Sequence, residues 1–117
     1  MKRLIPLTLL SALAVGVSAQ AASAQATILS ASVGPGRTIT LTKGGKRVTT
    51  LKPGRYVIRV SDRSSSHNFH LRGPGVNKAT AVAFTGRSEI RVRLRAGTYR
   101  YVCDPHSFDM RGSFRVR

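Results

Sequence analysis

The fold class is decided by the residues Ser88-Glu89-Ile90-Arg91-Val92-Arg93-Leu94-Arg95, along which apolar and polar side chains alternate strictly. A period of two is typical of a β-strand that buries one face and exposes the other to water. The same period runs through residues 37–42 and 55–61. No segment beyond residue 26 has a convincing helical period. We therefore expect an all-β domain whose arginines lie mostly on solvated faces.

Glycine and proline residues separate these segments and mark turns, because glycine tolerates positive φ and proline fixes its own φ. They occur at Gly34-Pro35-Gly36, Gly44-Gly45, Pro53-Gly54, Gly73-Pro74-Gly75 and Ala96-Gly97. The predicted strands lie near residues 27–33, 37–42, 46–51, 55–61, 67–72, 80–84, 88–95, 98–103 and 112–117. Their number and spacing favour an antiparallel Greek-key β-sandwich of about seven to nine strands.

Two segments share a Leu-basic-x-Gly-x-Tyr pattern, Leu51-Lys52-Pro53-Gly54-Arg55-Tyr56 and Leu94-Arg95-Ala96-Gly97-Thr98-Tyr99. We interpret them as equivalent strand starts in the two halves of a sandwich. They do not indicate an array of repeats.

The first residues are typical of a secretory signal peptide. Lys2 and Arg3 precede an apolar run at residues 4–17, and Ala-x-Ala patterns allow cleavage after Ala21, Ala24 or Ala26. The apolar run is shorter than the roughly 20 residues that a membrane-spanning helix needs. We expect residues 1–26 to be a signal peptide and residues 27–117 to form one small domain. The predicted location is secreted, periplasmic or elsewhere in the envelope outside the cytoplasmic membrane.

The charge restricts the partners. The chain has 20 Lys and Arg residues but only 4 Asp and Glu residues, and without Lys2 and Arg3 its net charge is about +14. Such a charge favours anionic lipid headgroups, acidic wall polymers or acidic proteins. Nucleic acid is chemically possible, but an exported chain is not expected to meet it.

A metal site is suggested by the segment Cys103-Asp104-Pro105-His106-Ser107-Phe108-Asp109-Met110, which holds the only cysteine. One cysteine cannot form an internal disulfide, so a bound metal is a candidate source of stability. The alternatives are a buried free thiol and an intermolecular disulfide. Alternation along the preceding strand places Tyr99, Tyr101 and Cys103 on one inward face, opposite Arg100.

A second histidine ligand would have to come from His67 or His70. These residues are three apart, so in an extended segment they face opposite sides of the sheet. His67 shares a face with Phe69 and Leu71, which have the character of core residues. This reasoning favours His67 as the ligand and leaves His70 as an ordinary outward histidine.

These segments resemble the small type 1 copper proteins, or cupredoxins, of the plastocyanin, pseudoazurin and amicyanin kind. The resemblance rests on His67-Asn68, Tyr99-x-Tyr101-x-Cys103, Cys103-x-Pro105-His106, Met110 and Gly112-x-Phe114-x-Val116. It covers nearly all of residues 27–117 and is strongest to small secreted bacterial cupredoxin-domain proteins with similar His-Asn-Phe-His-Leu and Cys-Asp-Pro-His segments.

The resemblance implies a cupredoxin-like domain that binds one copper ion as Cu(I) or Cu(II). His67, Cys103 and His106 would form a trigonal plane, and Met110 would be a weak axial ligand. Asn68 would tie the two ligand-bearing loops together. Asp104 and Asp109 are expected to cap turns.

The resemblance also implies one-electron transfer without catalysis, since four ligands leave no open position for a substrate. His106 would be the electron port, with Pro105 and Phe108 supplying an apolar patch. Basic residues would steer an acidic redox protein such as a cytochrome or oxidase, namely Arg72, Lys78, Arg87 and Arg111. We expect a monomer. The alternative function is an extracytoplasmic copper chaperone or scavenger.

Overall fold

The computed structural model describes residues 2–6, 8, 11–16 and 25–117. Two of the three predicted cleavage positions, Ala21 and Ala24, lie outside these residues. The single helix within them is a 3-10 turn at Asp104–His106. In these ranges no helix has the length and apolar character to cross a membrane.

Within residues 25–117, ten strands form two five-stranded sheets that pack face to face. The first sheet has the order β3-β2-β1-β5-β8, and the second has the order β4-β10-β9-β6-β7. The strands are β1 (Thr27–Val33), β2 (Ile39–Lys43), β3 (Lys46–Arg47), β4 (Thr50–Leu51), β5 (Gly54–Asp62), β6 (His70–Gly73), β7 (Val76–Ala79), β8 (Gly86–Leu94), β9 (Gly97–Val102) and β10 (Arg111–Val116).

The prediction of an all-β sandwich is confirmed, but purely antiparallel sheets and a count of seven to nine strands are wrong. Both sheets are mixed, because β1 is parallel to β5 and β4 is parallel to β10. The predicted strand at 46–51 is divided: β3 pairs with β2 in the first sheet, and β4 pairs with β10 in the second. The chain therefore passes from the first sheet to the second at residues 48–49. It then returns to the first sheet as β5, which runs parallel to β1.

The predicted strand at residues 80–84 is also wrong. The Pro74-Gly75 turn is tight enough for β7 to begin at Val76 and pair at once with β6. The ladder ends when Ala79 lies opposite His70. Residues 80–85 then form a loop whose large apolar side chain, Phe84, is 43% exposed.

The core lies between the inner faces of the two sheets, as alternation predicts. Aromatic rings form its centre: Phe69 stacks on Tyr101 at a centroid distance of 5.5 Å, and Tyr99 stacks on Phe114 at 5.3 Å. Two glycines make room for these rings. A Cβ at Gly73 would overlap the ring of Tyr99, and a Cβ at Gly112 would overlap the ring of Tyr101.

The two tyrosine-containing strand starts are equivalent, as interpreted from the sequence. Tyr56 lies in β5 of the first sheet, and Tyr99 lies in β9 of the second. The Tyr56 hydroxyl donates to the Lys52 carbonyl at 2.6 Å, and the Tyr99 hydroxyl lies 2.9 Å from the Arg95 carbonyl. Each hydroxyl thus bonds the backbone four residues earlier and fixes the start of its strand.

The strand directions divide the connections between two ends of the sandwich. One end, called the metal end below, carries the loops 34–38, 63–69, 80–85 and 103–110. The other end, called the turn end, carries the two-residue connections 44–45, 52–53, 74–75 and 95–96. All four buried polar or charged residues of the described chain lie at the metal end: Asp62, His67, Asn68 and His70.

Candidate metal centre

The alternation along β9 places the cysteine where the sequence predicts it. Tyr99, Tyr101 and Cys103 are buried at 0%, 1% and 0% exposure, whereas Arg100 is exposed. A sulfur this deeply buried cannot reach a second chain without local opening. This conformation therefore disfavours the intermolecular disulfide that an unpaired cysteine allows.

Residues 103–110, called the metal loop below, fold back on themselves through backbone hydrogen bonds. The amide of Cys103 donates to the Met110 carbonyl at 3.0 Å, and the amide of Met110 donates to the His106 carbonyl at 2.9 Å. The His106 amide in turn donates to the Cys103 carbonyl at 3.0 Å. Pro105 suits the first turn of this 3-10 segment because its missing N–H is not needed there. Main-chain bonds alone thus bring His106 and Met110 back to Cys103.

His67 comes from the neighbouring loop 63–69 and is 5% exposed. It lies inward, as expected, but alternation is not the reason, because β6 begins only at His70. Its ring packs beside Gly34, whose added Cβ would lie 3.8 Å from His67 Cδ2. Gly34 has a φ of 72°, a conformation that glycine adopts without strain.

Three donor atoms converge at this point. The Sγ of Cys103 lies 3.6 Å from Nδ1 of both His67 and His106, and the two Nδ1 atoms are 3.0 Å apart. Metal bonds of about 2.0–2.1 Å to imidazole nitrogen and about 2.3 Å to thiolate sulfur are typical. Each observed separation is shorter than the sum of two such bonds, so one ion can contact all three atoms. The residues present therefore fit a metal site.

Met110 and His106 complete the surroundings of these donors in different ways. Met110 is fully buried, and its backbone is paired with that of Cys103. His106 is partly exposed, and its ring meets the His67 ring edge to face at a centroid distance of 4.7 Å. The donors of His67, Cys103 and Met110 are thus enclosed, and the His106 ring is the part of the set nearest to solvent.

Asn68 joins the two ligand-bearing segments. Its Oδ1 accepts from the Asp104 amide at 2.8 Å, and its Nδ2 donates to Asp104 Oδ2 at 2.8 Å. The same Nδ2 donates to the Thr80 carbonyl at 3.1 Å. Since Asn68 follows His67 and Asp104 follows Cys103, these bonds fix the distance between the two segments.

His70 supplies no donor to the metal site, as expected, but it is not an ordinary exposed histidine. His70 is 8% exposed, and its Nδ1 lies 2.8 Å from Asp104 Oδ1. Its Nε2 lies 2.6 Å from Asn77 Oδ1 and 3.1 Å from Arg72 Nε. Within β6, Leu71 faces the core, so His70 and Arg72 lie on the other face of the sheet, as alternation predicts. Alternation does not give the cover over that face, which Asp104 and Asn77 provide.

Asp104 and Asp109, which were expected to cap turns, each make a long-range contact as well. Burial opposes ionisation of Asp104, but hydrogen bonds from Asn68 and His70, with the charge of Arg72, lower its pKa below the ordinary value. Asp109 forms an exposed ion pair with Arg37 at 3.1 Å. The hydrogen bond from Arg37 lowers the pKa of Asp109.

Asn77 and Thr80 are members of this network that sequence reasoning missed. Thr80 Oγ1 accepts from the Phe69 amide at 2.9 Å. A two-residue hairpin at Pro74-Gly75 is the sequence signal that could have found them. It sets Ala79 opposite His70 and therefore brings Thr80 beside Phe69.

The predicted docking residues are only partly brought together. Pro105, His106 and Phe108 share the metal loop, and Phe108 is 90% exposed. Arg72 and Arg111 line two surface depressions that both reach Ser107 of this loop.

The other two basic candidates lie on different surfaces. Lys78 donates to the Arg91 carbonyl at 2.6 Å and lines a depression with Arg55 and Arg93. Arg87 lies on β8, opposite Ser61. The four basic residues therefore do not form one continuous patch around His106.

Solved structures with the same fold include rusticyanin and amicyanin. The copper protein rusticyanin superposes with a TM-score of 0.61 at 16% identity, covering 81% of this chain and 80% of that one. Rusticyanin from Thiobacillus ferrooxidans in a second structure gives 0.56 at 20% identity, covering 81% and 79%. A methionine-to-glutamine variant of amicyanin with Cu(I) gives 0.52 at 19% identity, covering 77% and 82%.

No protein-family profile matches the chain, and no curated protein matches it. At these identities the likeness establishes the fold, and the geometry of the donors is independent of it. The chain has the cupredoxin fold, with its His, Cys, His and Met residues grouped as in a type 1 copper site.

Proposed function

We propose that this protein binds one copper ion at His67, Cys103, His106 and Met110 and serves as a one-electron carrier. The observation that carries the proposal is the convergence of one thiolate and two imidazole donors, each Sγ–Nδ1 separation being 3.6 Å. Copper, when bound, supplies a Cu(I)/Cu(II) couple. The donor set suits both states, because thiolate favours Cu(I) and imidazole accepts either.

The protein's contribution is to hold the donors still. Backbone bonds close the metal loop, and Asn68 fixes Asp104 against the His67 segment. A ligand set held by the folded chain changes little in position when its charge changes. This rigidity supports electron transfer, and the burial of Cys103 and Met110 supports resident copper over copper that is handed to another protein.

His106 is the proposed electron port, because its partly exposed ring connects the enclosed donors with the surface. Pro105 and Phe108 are exposed beside it and offer an apolar contact area. Arg72 and Arg111, which line depressions adjoining Ser107, are the proposed attractors of an acidic redox partner. Lys78 and Arg87 would act only through the long-range field.

We further propose that the protein works as a monomer outside the cytoplasmic membrane, after removal of residues 1–26. The signal-like N-terminus supports this location. The excess of positive charge supports contact with acidic redox proteins such as cytochromes or oxidases. It also supports attachment to an anionic envelope surface.

The test adds Cu(II) to protein that starts at residue 27 and records the visible spectrum. An intense thiolate-to-copper band at one copper per chain is expected. Reduction and reoxidation should bleach and restore it without loss of metal. Folded protein that binds no copper, or binds it without this band, would contradict the proposal.

A further inference from the structure

His70 and Asp104 form a contact that the four-donor site does not require. The imidazole and the carboxylate belong to β6 and the metal loop, 34 residues apart. Nδ1 of His70 lies 2.8 Å from Oδ1 and 3.0 Å from Oδ2 of Asp104. One ring nitrogen therefore contacts both oxygens of the carboxylate that directly follows Cys103.

The proton on the His70 ring can be assigned from its neighbours. The Arg72 guanidinium can only donate, and its Nε lies 3.1 Å from Nε2 of His70. On the other side of the ring, Nδ1 faces the two oxygens of the Asp104 carboxylate, which can only accept when ionised. Nδ1 therefore carries a proton and donates to Asp104.

This bond determines where the Asp104 carboxylate lies. The side chain of Asp104 is 41% exposed, so without a partner at Oδ1 it would be free to turn toward water. Its Oδ2 would then leave Nδ2 of Asn68, a residue that is only 2% exposed. A buried amide that loses a partner destabilises its surroundings. The hydrogen bonds between Asn68 and Asp104, which act as a clamp between the His67 and Cys103 segments, would weaken.

We propose that His70 is a positioning residue that holds the Asp104 carboxylate against Asn68 and thereby keeps His67 and Cys103 at the separation copper requires. This inference rests on the proposed copper function. His70 itself contacts no metal. It acts through Asp104 and Asn68, and it extends the clamp to β6.

Two amide substitutions at one position test the role of Nδ1. His70→Asn places its NH₂ group near the position of Nδ1 and can still donate to Asp104. His70→Gln places its NH₂ group near the position of Nε2 and cannot. The measurement is the rate at which copper passes from the loaded protein to an excess of a chelator, together with the thiolate-to-copper band.

His70→Gln should lose copper about 10-fold to 100-fold faster than the unaltered protein, the range typical of lost contacts behind a metal ligand. His70→Asn should stay within about threefold, because it keeps the bond that matters. Asn77→Ala is the matched control. It removes the other partner of the ring, leaves the bond to Asp104 in place and should behave like the unaltered protein.

Asp104→Asn tests the same contact from the exposed side and keeps the inference testable if His70→Gln does not fold. An amide places an NH₂ group where one of the two carboxylate oxygens lies, so a donor then faces the donor of either Asn68 or His70. Copper loss should again be about 10-fold faster or more. Where both variants fold, Asp104→Asn combined with His70→Gln should be no worse than the stronger single variant, because both break one contact.

The outcomes separate the two proposals. An unaltered protein without the thiolate-to-copper band overturns the proposed function. A normal band with His70→Gln and Asp104→Asn both releasing copper at the unaltered rate overturns only the role of His70. So does a His70→Asn variant that releases copper as fast as His70→Gln, and so does full additivity in the double variant.

Discussion

The metal end and the turn end of this sandwich are built by different means. At the turn end, four two-residue connections reverse the chain, and tyrosine hydroxyls bond the backbone four residues earlier. At the metal end, loops of five to eight residues are held by side chains from distant parts of the chain, such as Asn68 with Asp104, 36 residues apart. Local bonds thus define one end, and long-range polar contacts define the other.

This difference between the two ends indicates which residues affect the stability of the fold and which affect metal binding. Most bonds of the turn end join residues that are close in sequence, although the Tyr99 hydroxyl also lies 3.2 Å from the Pro74 carbonyl. This end should therefore contribute to folding with no effect on metal binding. The metal end buries polar groups whose hydrogen-bond partners come from distant segments of the chain. Substitutions at the two ends should therefore affect different measurements, and the following predictions test this from the largest effect to the smallest.

Cys103→Ala should abolish the thiolate-to-copper band completely, because no other thiol exists in the chain. The free energy of unfolding of the copper-free protein should fall by only about 1 kcal/mol, the typical cost of a small buried truncation. The check is a visible spectrum with copper and denaturant unfolding without it. A surviving band would show that the absorption does not come from a thiolate bound to copper, and it would break the comparison.

Tyr99→Phe should lower the free energy of unfolding by about 2 kcal/mol. It removes a fully buried hydroxyl that accepts from the Arg95 amide and bonds a carbonyl as well. The copper spectrum should be unchanged, since the lost bonds lie at the turn end. Denaturant unfolding and the visible band should be measured on the same sample, and a shifted band would show that the two ends are coupled.

Tyr56→Phe should cost about 1 kcal/mol, less than Tyr99→Phe, because the hydroxyl makes a single bond to the Lys52 carbonyl. The two variants are matched in chemistry and differ in the number of bonds lost. Equal losses, measured by denaturant unfolding under one set of conditions, would contradict the explanation by bond count.

The free energy of unfolding should also decrease at high pH, because the Tyr56 hydroxyl ionises. Burial raises the pKa of this hydroxyl above its ordinary value of 10.0, against a smaller opposing effect of the bond to Lys52. The unfolded chain then loses the proton at lower pH than the folded one, so the stabilisation is complete below about pH 10 and is lost as pH rises through the folded pKa. The stability difference between the unaltered protein and Tyr56→Phe should shrink as the pH rises above about 10. A constant difference would exclude this cause.

Arg37→Ala should have the smallest effect, about 0.5 kcal/mol or less, although its partner Asp109 lies in the metal loop. The Arg37 and Asp109 side chains are 63% and 44% exposed, so water and salt screen their contact. Unfolding measured at low and high salt should show the small difference vanish in salt. A large loss of copper affinity would mean that this exposed pair also positions the metal loop.

The sequence predicted the turn end more fully than the metal end, for a physical reason. Turns and alternation are local, so the residues between Leu94 and Cys103 could be assigned correctly from their own pattern. Parallel pairing of β1 with β5 has no local signal, and neither does the change of sheet at residues 48–49. These features depend on how distant strands share one core.

The candidate site shows the same limit. The spacing within the metal loop was enough to expect Cys103 and His106 together, and the donor geometry agrees with that expectation. The burial of His70 was missed because it depends on Asp104, a residue of the distant metal loop that covers this face of β6. Its contact with Asp104 joins two sequence segments that only the folded chain brings together.

The glycines that face the aromatic core have a consequence for how this sequence can change. Gly73 shares its space with the ring of Tyr99, and Gly112 shares its space with the ring of Tyr101. In each pair, the tyrosine ring occupies the space that a side chain on the glycine would need. A side chain can be gained at either glycine only if the partner tyrosine is exchanged for a smaller residue in the same step. Tyr101 and Cys103 are two residues apart and face the same side of the sheet. An exchange of Tyr101 that accompanies a side chain at Gly112 would therefore change the packing next to Cys103.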